Sequence, residues 1–226
     1  MIPEDNPPEF FAKHLSAYHF MKPSVKGKTV LEVGFGDGYG MAYLADTAKE
    51  VTGIDIAAPN IPLAMAKYPL KNLRFLHYDG FHFPFADAMF DIVGSFQVIE
   101  HIPEDKLLDW LRQIKRVLKK DGFFCVSTLN LKNAQKPGVV YSKNVDHHKE
   151  FYAHELKSLL ERVFGQVSMH GLRYTSKHRA FKRLKKWGFS GLPFVRRHFE
   201  STSVGDFWVS SRGVDTSIDL IAVSRH

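Results

Sequence analysis

Cysteine is nearly absent: Cys125 is the only one in 226 residues. That excludes an internal disulfide and any zinc site built from several thiolates. Long apolar runs are missing too, since none approaches the ~18 residues of a membrane span. Residues 1–8 are acidic and proline-rich. They lack the basic and apolar regions of a signal peptide. A soluble, cytoplasmic protein in a reducing compartment is the expectation. Disorder is excluded by an ordinary balance of 44% hydrophobic and 24% charged residues. At roughly 150 residues per domain the length fits one large domain. Such a chain buries roughly 70–75% of its unfolded surface and needs no metal to hold a core. Acids are scarce in one place. Residues 172–200 carry nine Lys or Arg against Glu200 alone. That segment accounts for the whole net charge of +7, and the remainder is near neutral.

Strand and helix patterns alternate along the chain. Short β-branched or apolar runs at 29–33, 51–56, 73–77, 90–96, 123–128, 166–170 and 217–224 predict strands. The run at 90–96 is apolar almost throughout, as expected of a strand covered on both faces. Helices are predicted at 8–20, 40–48, 61–68, 103–119 and 153–163. The helix at 103–119 has Leu107, Leu108, Leu111, Ile114, Val117 and Leu118 at helical spacing. Acids in its first turn and lysines at its end suit the helix dipole. This alternation predicts βαβ units, a mainly parallel sheet and helices on both faces. The last stretch follows a strand with little helix between, so antiparallel pairing is expected there. The organisation is one domain, with an N-terminal helical cap at 1–28 and a basic insertion at 172–205. That insertion is expected as a lid overhanging the ligand edge of the sheet.

The strongest motif is Gly34-Phe35-Gly36-Asp37-Gly38, directly after the first strand and before a helix. Glycines there let the backbone turn tightly and approach a ligand closely. A dinucleotide fingerprint needs Gly-x-Gly-x-x-Gly. Tyr39 or Met41 stands where its third glycine belongs, so both registers fail. Glu32, two residues before the first glycine, also suits a pyrophosphate poorly. A nucleoside bearing an amino acid and a cationic sulfur has the opposite requirement. Glu32 can orient the loop around its ammonium, Asp55 can accept both ribose hydroxyls, and Asp79 can accept from an adenine amino group. This charge pattern points to S-adenosyl-L-methionine.

At these residues the chain resembles the class I S-adenosylmethionine-dependent methyltransferases, in particular those acting on small molecules and glycans. The resemblance rests on residues 30–40, 51–56, 75–80, 83–101 and 116–130 taken together. One departure is Phe35, where many relatives have cysteine. The resemblance implies a Rossmann-like seven-stranded sheet of order 3-2-1-4-5-7-6 with the last strand antiparallel. It also implies S-adenosyl-L-methionine as cofactor and S-adenosyl-L-homocysteine as product. Gly34, Phe35, Gly36, Asp37 and Gly38 would wrap the methionine part. Asp55 and Ile56 would hold the ribose and flank the adenine, which Asp79 and Gly80 would contact. Gln97 would lie under the reactive methyl, and Tyr18 would close over the carboxylate end.

Other chemistries leave weaker traces. No Asn/Asp-Pro-Pro-aromatic motif for amino methylation of bases follows the fourth strand, and Cys125 reads as core. His147 and His148 precede Glu150-Phe151, similar to the His-x-x-Glu-Phe of relatives that methylate hydroxyls. Imidazole titrates near neutrality and suits removal of a hydroxyl proton. His147 is the first candidate base and His148 the second, against a purely structural role. Glu100-His101 is expected to order the turn after the fourth strand, and His82 to sit on the surface. No pair among the 12 histidines shows metal-ligand spacing, so no metal is expected. The acceptor is expected to be a small molecule or glycan, methylated at oxygen by direct displacement. The basic insertion suits an anionic substrate, an anionic membrane surface or RNA. An RNA methyltransferase and a cofactor-binding module without turnover are the competing readings. The oligomeric state is not legible.

Overall fold

In the computed structural model the described residues are 2–135, 137, 138 and 140–226. They form one eight-stranded sheet, ordered β3-β2-β1-β4-β5-β8-β6-β7. The strands are β1 (Thr29–Val33), β2 (Glu50–Asp55), β3 (Leu73–His77), β4 (Phe90–Phe96), β5 (Leu118–Leu129), β6 (Gln166–Tyr174), β7 (Phe207–Ser210) and β8 (Asp219–Arg225). The first five pair in parallel. β8 runs antiparallel between β5 and β6, as the sequence implies for the last strand.

The sheet has eight strands where seven were expected. The addition is β7, which pairs antiparallel with residues 171–174 at the free edge of β6. β6 runs four residues past its predicted end, 171 and 172 paired with both β8 and β7, and 173 and 174 with β7 alone. A second difference lies at β5. The helix predicted over 103–119 spans only Leu107–Val117 (α4), and residues 118–122 already belong to β5. Gly122 permits this. A Cβ there would sit 2.6 Å from the Asp91 carbonyl, so only glycine lets the strand pack this closely against β4.

Apolar side chains cover both faces. On one face α4 and α6 (Ala153–Glu161) lay Trp110, Leu111, Ile114, Leu156 and Leu160 against Phe124 and Val126. On the other, α1 (Pro8–Met21) and α2 (Tyr39–Ala45) contribute Tyr18, Met21, Met41 and Leu44 around Ile92 and Cys125. Cys125 is fully buried, as expected of core. The helix α3 (Asn60–Lys67) flanks β3, and the single turn α5 (Leu131–Ala134) follows β5.

The basic segment folds as a helical hairpin, α7 (Ser176–Lys186) and α8 (Pro193–Glu200), turning at Gly188. Its inner side is anchored to α1: Lys182 Nζ reaches Glu9 Oε1 at 2.5 Å, and His178 Nε2 lies 3.4 Å from the same oxygen. Phe181 stacks on His198 with ring centroids 3.9 Å apart. Among the described residues, no helix is long and apolar enough to cross a membrane.

Candidate active site

A cleft of about 880 Å³ opens at the C-terminal ends of β1, β2 and β4. Its size falls within the roughly 300–1,000 Å³ of small-molecule sites. Among the described residues, none of 172–205 lines it. The basic hairpin reaches it only through α1, whose Phe10, Lys13, His14 and Tyr18 form one wall.

The glycine loop is held open by its neighbours. Gly34 has φ +80° and donates its N–H to the Ile54 carbonyl at 2.8 Å. A Cβ there would meet the Val98 side chain at 2.5 Å. Gly36 donates its N–H to Asp55 Oδ2 at 2.8 Å, and Ala57 donates to Oδ1 at 2.8 Å. Asp55 therefore ties the loop to the end of β2. The Phe35 side chain turns inward, packing edge-on to Phe75; Phe35 is also among the residues that line the cleft. Asp37 is pinned from outside by the Tyr68 hydroxyl at 2.8 Å and Lys67 Nζ at 3.0 Å. Gly38 caps α2 and closes the loop by donating to the Phe35 carbonyl.

Glu32 lies beneath this loop, 1% exposed. The Tyr18 hydroxyl donates to its Oε1 at 2.5 Å, while Oε2 meets no hydrogen-bond donor. Burial pushes the carboxyl up to about 8, with the Asp55 charge adding to the effect. Tyr18 can approach only because position 40 is glycine. A Cβ there would overlap the Tyr18 ring.

The next wall contains Ile56, Asp79, Gly80 and Phe81. Ile56 is 64% exposed despite its apolar side chain, and Phe81 is also exposed. Asp79 accepts from the His82 backbone N–H at 2.7 Å, the Phe81 N–H at 2.8 Å and the His82 ring. Those bonds hold its carboxyl well below the usual range. Its oxygens thus already build a turn. His82 is at the surface, as expected. Gln97, after β4, adopts φ +57°, unusual for a non-glycine residue. Its N–H donates to the Ser127 carbonyl at 2.9 Å and its side chain to Ser127 Oγ at 3.3 Å.

The far wall brings together residues distant in sequence. His147 Nδ1 lies 2.6 Å from Glu150 Oε1, and the Tyr141 hydroxyl donates to Oε2 of the same carboxylate. His101 packs edge-on to His147. The backbone N–H groups of His148 and Lys149 donate to the Glu100 carbonyl, so this turn is ordered as expected. The His148 side chain borders the cleft but is exposed. Glu100 is buried, and burial pushes its carboxyl up to about 7.

Comparison with known proteins accounts for this arrangement. Residues 31–126 match the methyltransferase domain family. A probable S-adenosylmethionine-dependent methyltransferase of Mycolicibacterium smegmatis is 36% identical over 70% of this chain. These matches identify the chain as a methyltransferase similar to the class I S-adenosylmethionine-dependent enzymes. It spans 60% of the length of that M. smegmatis relative. It spans 83% of a probable S-adenosylmethionine-dependent methyltransferase of Mycobacterium tuberculosis, at 28% identity over 95% of this chain. A fatty-acid O-methyltransferase of M. smegmatis is 32% identical over 54% of this chain and 46% of its own length. Ubiquinone biosynthesis O-methyltransferases match similarly, for example that of Haemophilus ducreyi at 33% over 46% of each chain. In fold, a Thermotoga maritima structure described as a possible histamine N-methyltransferase superposes with a TM-score of 0.66. It is 17% identical, over 96% of this chain and 90% of its own.

The cofactor of these methyltransferases, S-adenosyl-L-methionine, fits the residues present. Glu32 Oε2 is a buried acceptor with no donor, suited to a nearby ammonium. Gly34 and Gly36 leave the backbone bare, and Ile56 with Phe81 offers an exposed apolar slot for a flat ring. Sequence reasoning missed the wall formed by Phe10, Lys13 and His14, because an amphipathic helix shows only that one side is buried. Burial pushes the His14 imidazole down to about 3, so the ring is neutral there. Tyr141 was missed for want of any motif.

Proposed function

We propose that this methyltransferase moves a methyl group from S-adenosyl-L-methionine to an oxygen atom of a small-molecule acceptor, with a glycan as the wider class. The observation that carries the reading is His147 Nδ1 at 2.6 Å from Glu150 Oε1, on the cleft wall. A carboxylate partner keeps the proton on Nδ1 and leaves Nε2 as the acceptor. The His147 side chain is 11% exposed, so its ring is held rather than free to rotate. It is placed to handle the proton of an acceptor hydroxyl, and His148 is the alternate base. The names of the fatty-acid and ubiquinone relatives support oxygen as the site of transfer.

The bound cofactor would supply an electrophilic methyl on a cationic sulfur. Glu32 and the loop from Gly34 to Gly38 hold its amino-acid end, Asp55 its ribose, and Ile56, Asp79 and Gly80 its adenine. Gln97, in its left-handed conformation, borders the path between cofactor and acceptor. Alignment of acceptor oxygen and methyl carbon supplies much of the acceleration in such a displacement. The basic hairpin acts through α1, which it braces over the cleft.

Incubation with methyl-labelled S-adenosyl-L-methionine and a fractionated cell extract tests the reading. Label in a nuclease-resistant lipid, glycan or small-molecule fraction is expected. Label in a nuclease-sensitive fraction would replace the reading with RNA methylation. Cofactor binding without transfer to any fraction would make the protein a binding module.

A further inference from the structure

Glu100, His101 and His147 share the acceptor end of the cleft. Each offers one potential ligand atom, and the three lie within 4.8 Å of one another. The two imidazoles are oriented in the same way. His101 Nδ1 is 2.9 Å from the Asp146 carbonyl oxygen, which can only accept, so this nitrogen carries the proton. His147 Nδ1 faces the Glu150 carboxylate at 2.6 Å. With both Nδ1 atoms committed, Nε2 is the ligand atom of each ring; that of His147 lies 3.4 Å from the Asn144 side-chain nitrogen, a long contact that an ion would replace. Donation of the far N–H to a carbonyl or carboxylate is the arrangement that fixes metal-binding histidines. The third group supplies an independent sign. Glu100 is 1% exposed and its Oε2 meets no hydrogen-bond donor. A buried carboxylate oxygen without a donor is a group that a cation would satisfy.

We propose that Glu100, His101 and His147 bind one divalent transition-metal ion at the acceptor end of the cleft. Two imidazoles and a carboxylate suit ions of the zinc, cobalt or manganese class. All three residues border the cleft, so the remaining coordination positions face an incoming ligand, as in a catalytic rather than a closed site. Tetrahedral ligands at about 2.0–2.2 Å from the ion stand roughly 3.3 Å apart. The three atoms, within 4.8 Å of one another, would close toward that spacing around a bound ion.

The chemical consequence rests on the oxygen-methylation reading. An acceptor hydroxyl bound to the ion loses its proton to water more readily. Its oxygen lone pair then forms the new O–CH3 bond. The CH3–S bond breaks, and its electron pair stays on sulfur. His147 is then a ligand, and the ion takes over activation of the hydroxyl.

The test uses the full chain, freed of metal by a chelator and titrated with Co2+, read by its visible absorption. One ion per chain is expected, reversed by chelator. His101→Ala alters an exposed residue and should weaken Co2+ binding at least about 100-fold while leaving the melting temperature unchanged. His198→Ala is the control, because His178, His198 and Asp206 form the second such cluster among the described residues; it should leave Co2+ binding intact. The proposal is overturned if no stoichiometric binding occurs, if His101→Ala does not alter it, or if His198→Ala abolishes it. Calorimetry with S-adenosyl-L-homocysteine on the same samples keeps the two readings apart. Cofactor binding without Co2+ binding removes the metal site and leaves His147 as the base. Co2+ binding without methyl transfer removes the reaction and leaves the site.

Discussion

The Tyr18 hydroxyl donates to Glu32 Oε1 at 2.5 Å, joining the N-terminal helix to the first strand directly below the glycine loop. Both groups are buried. One contact therefore holds the cleft wall formed by α1 and also the orientation of the carboxyl group proposed to meet the cofactor's amino group.

Tyr18→Phe keeps the ring and removes the donor. Glu32 then has both oxygens unpaired, which costs about 1–3 kcal/mol. For a domain of this size each kcal/mol corresponds to about 2–4 °C in Tm. A lower melting temperature and weaker S-adenosyl-L-homocysteine binding are expected together. Unchanged values in both measurements would remove this contact from the design of the site.

Glu32→Gln tests the raised carboxyl. Glu32 is pushed from 4.5 up to about 8 in the fold. An acid raised on folding contributes stability that is complete below its unfolded value and lost as pH rises toward its folded value. The native chain should therefore lose stability relative to Glu32→Gln between about pH 5 and 8. Denaturant unfolding at several pH values reads this. A constant difference across that range would show that Glu32 is ionised in the free protein.

Asp55→Ala removes the acceptor for the Gly36 and Ala57 amides and the proposed ribose contact. Hydrogen bonds to a charged group are worth about 1.5–3 kcal/mol, or roughly 10- to 100-fold in affinity. Calorimetric titration with S-adenosyl-L-homocysteine should show at least this loss. Asp55→Asn keeps one carbonyl acceptor and should fall between the two.

Glu150→Gln leaves a side chain able to accept from only one of its two partners. His147 then loses the carboxylate that sets its tautomer. A 10- to 100-fold fall in turnover is expected, with cofactor affinity unchanged and the pH profile of the rate displaced. Loss of cofactor affinity in step with turnover would mean that Glu150 only supports the fold.

Much of this protein could be read from residue order alone. The glycines at 34, 36 and 38 fall between an apolar β-branched run and a helix, and the acids at 32, 55 and 79 fall at strand ends. Those are local facts, set by backbone freedom and by the two-residue and 3.6-residue periods of side chains. They sufficed for the alternation of strands and helices and for a mainly parallel sheet; the strand order came with the family resemblance that the same residues carry. β7 was not legible. Four residues of edge strand form only because β6 and β8 are already paired and leave a free edge. The split of α4 from β5 at Leu118 likewise depends on how closely β5 approaches Asp91.

The acceptor side is where sequence reasoning stopped. His147 and Glu150 lie three residues apart and could be paired on paper. Glu100 and His101 share the turn after β4, while Tyr141 and His147 follow β5, and nothing in their spacing relates the two groups. The basic hairpin has an unmistakable composition, yet charge alone does not say which surface a helix packs on. Its attachment to α1 through Glu9 and Lys182, away from the cleft, follows from tertiary packing. Residue order determined the glycine-loop end of the cleft because that end is built from consecutive backbone. Only the folded structure decided the acceptor end, because that end is built from side chains which burial and long-range contacts bring together.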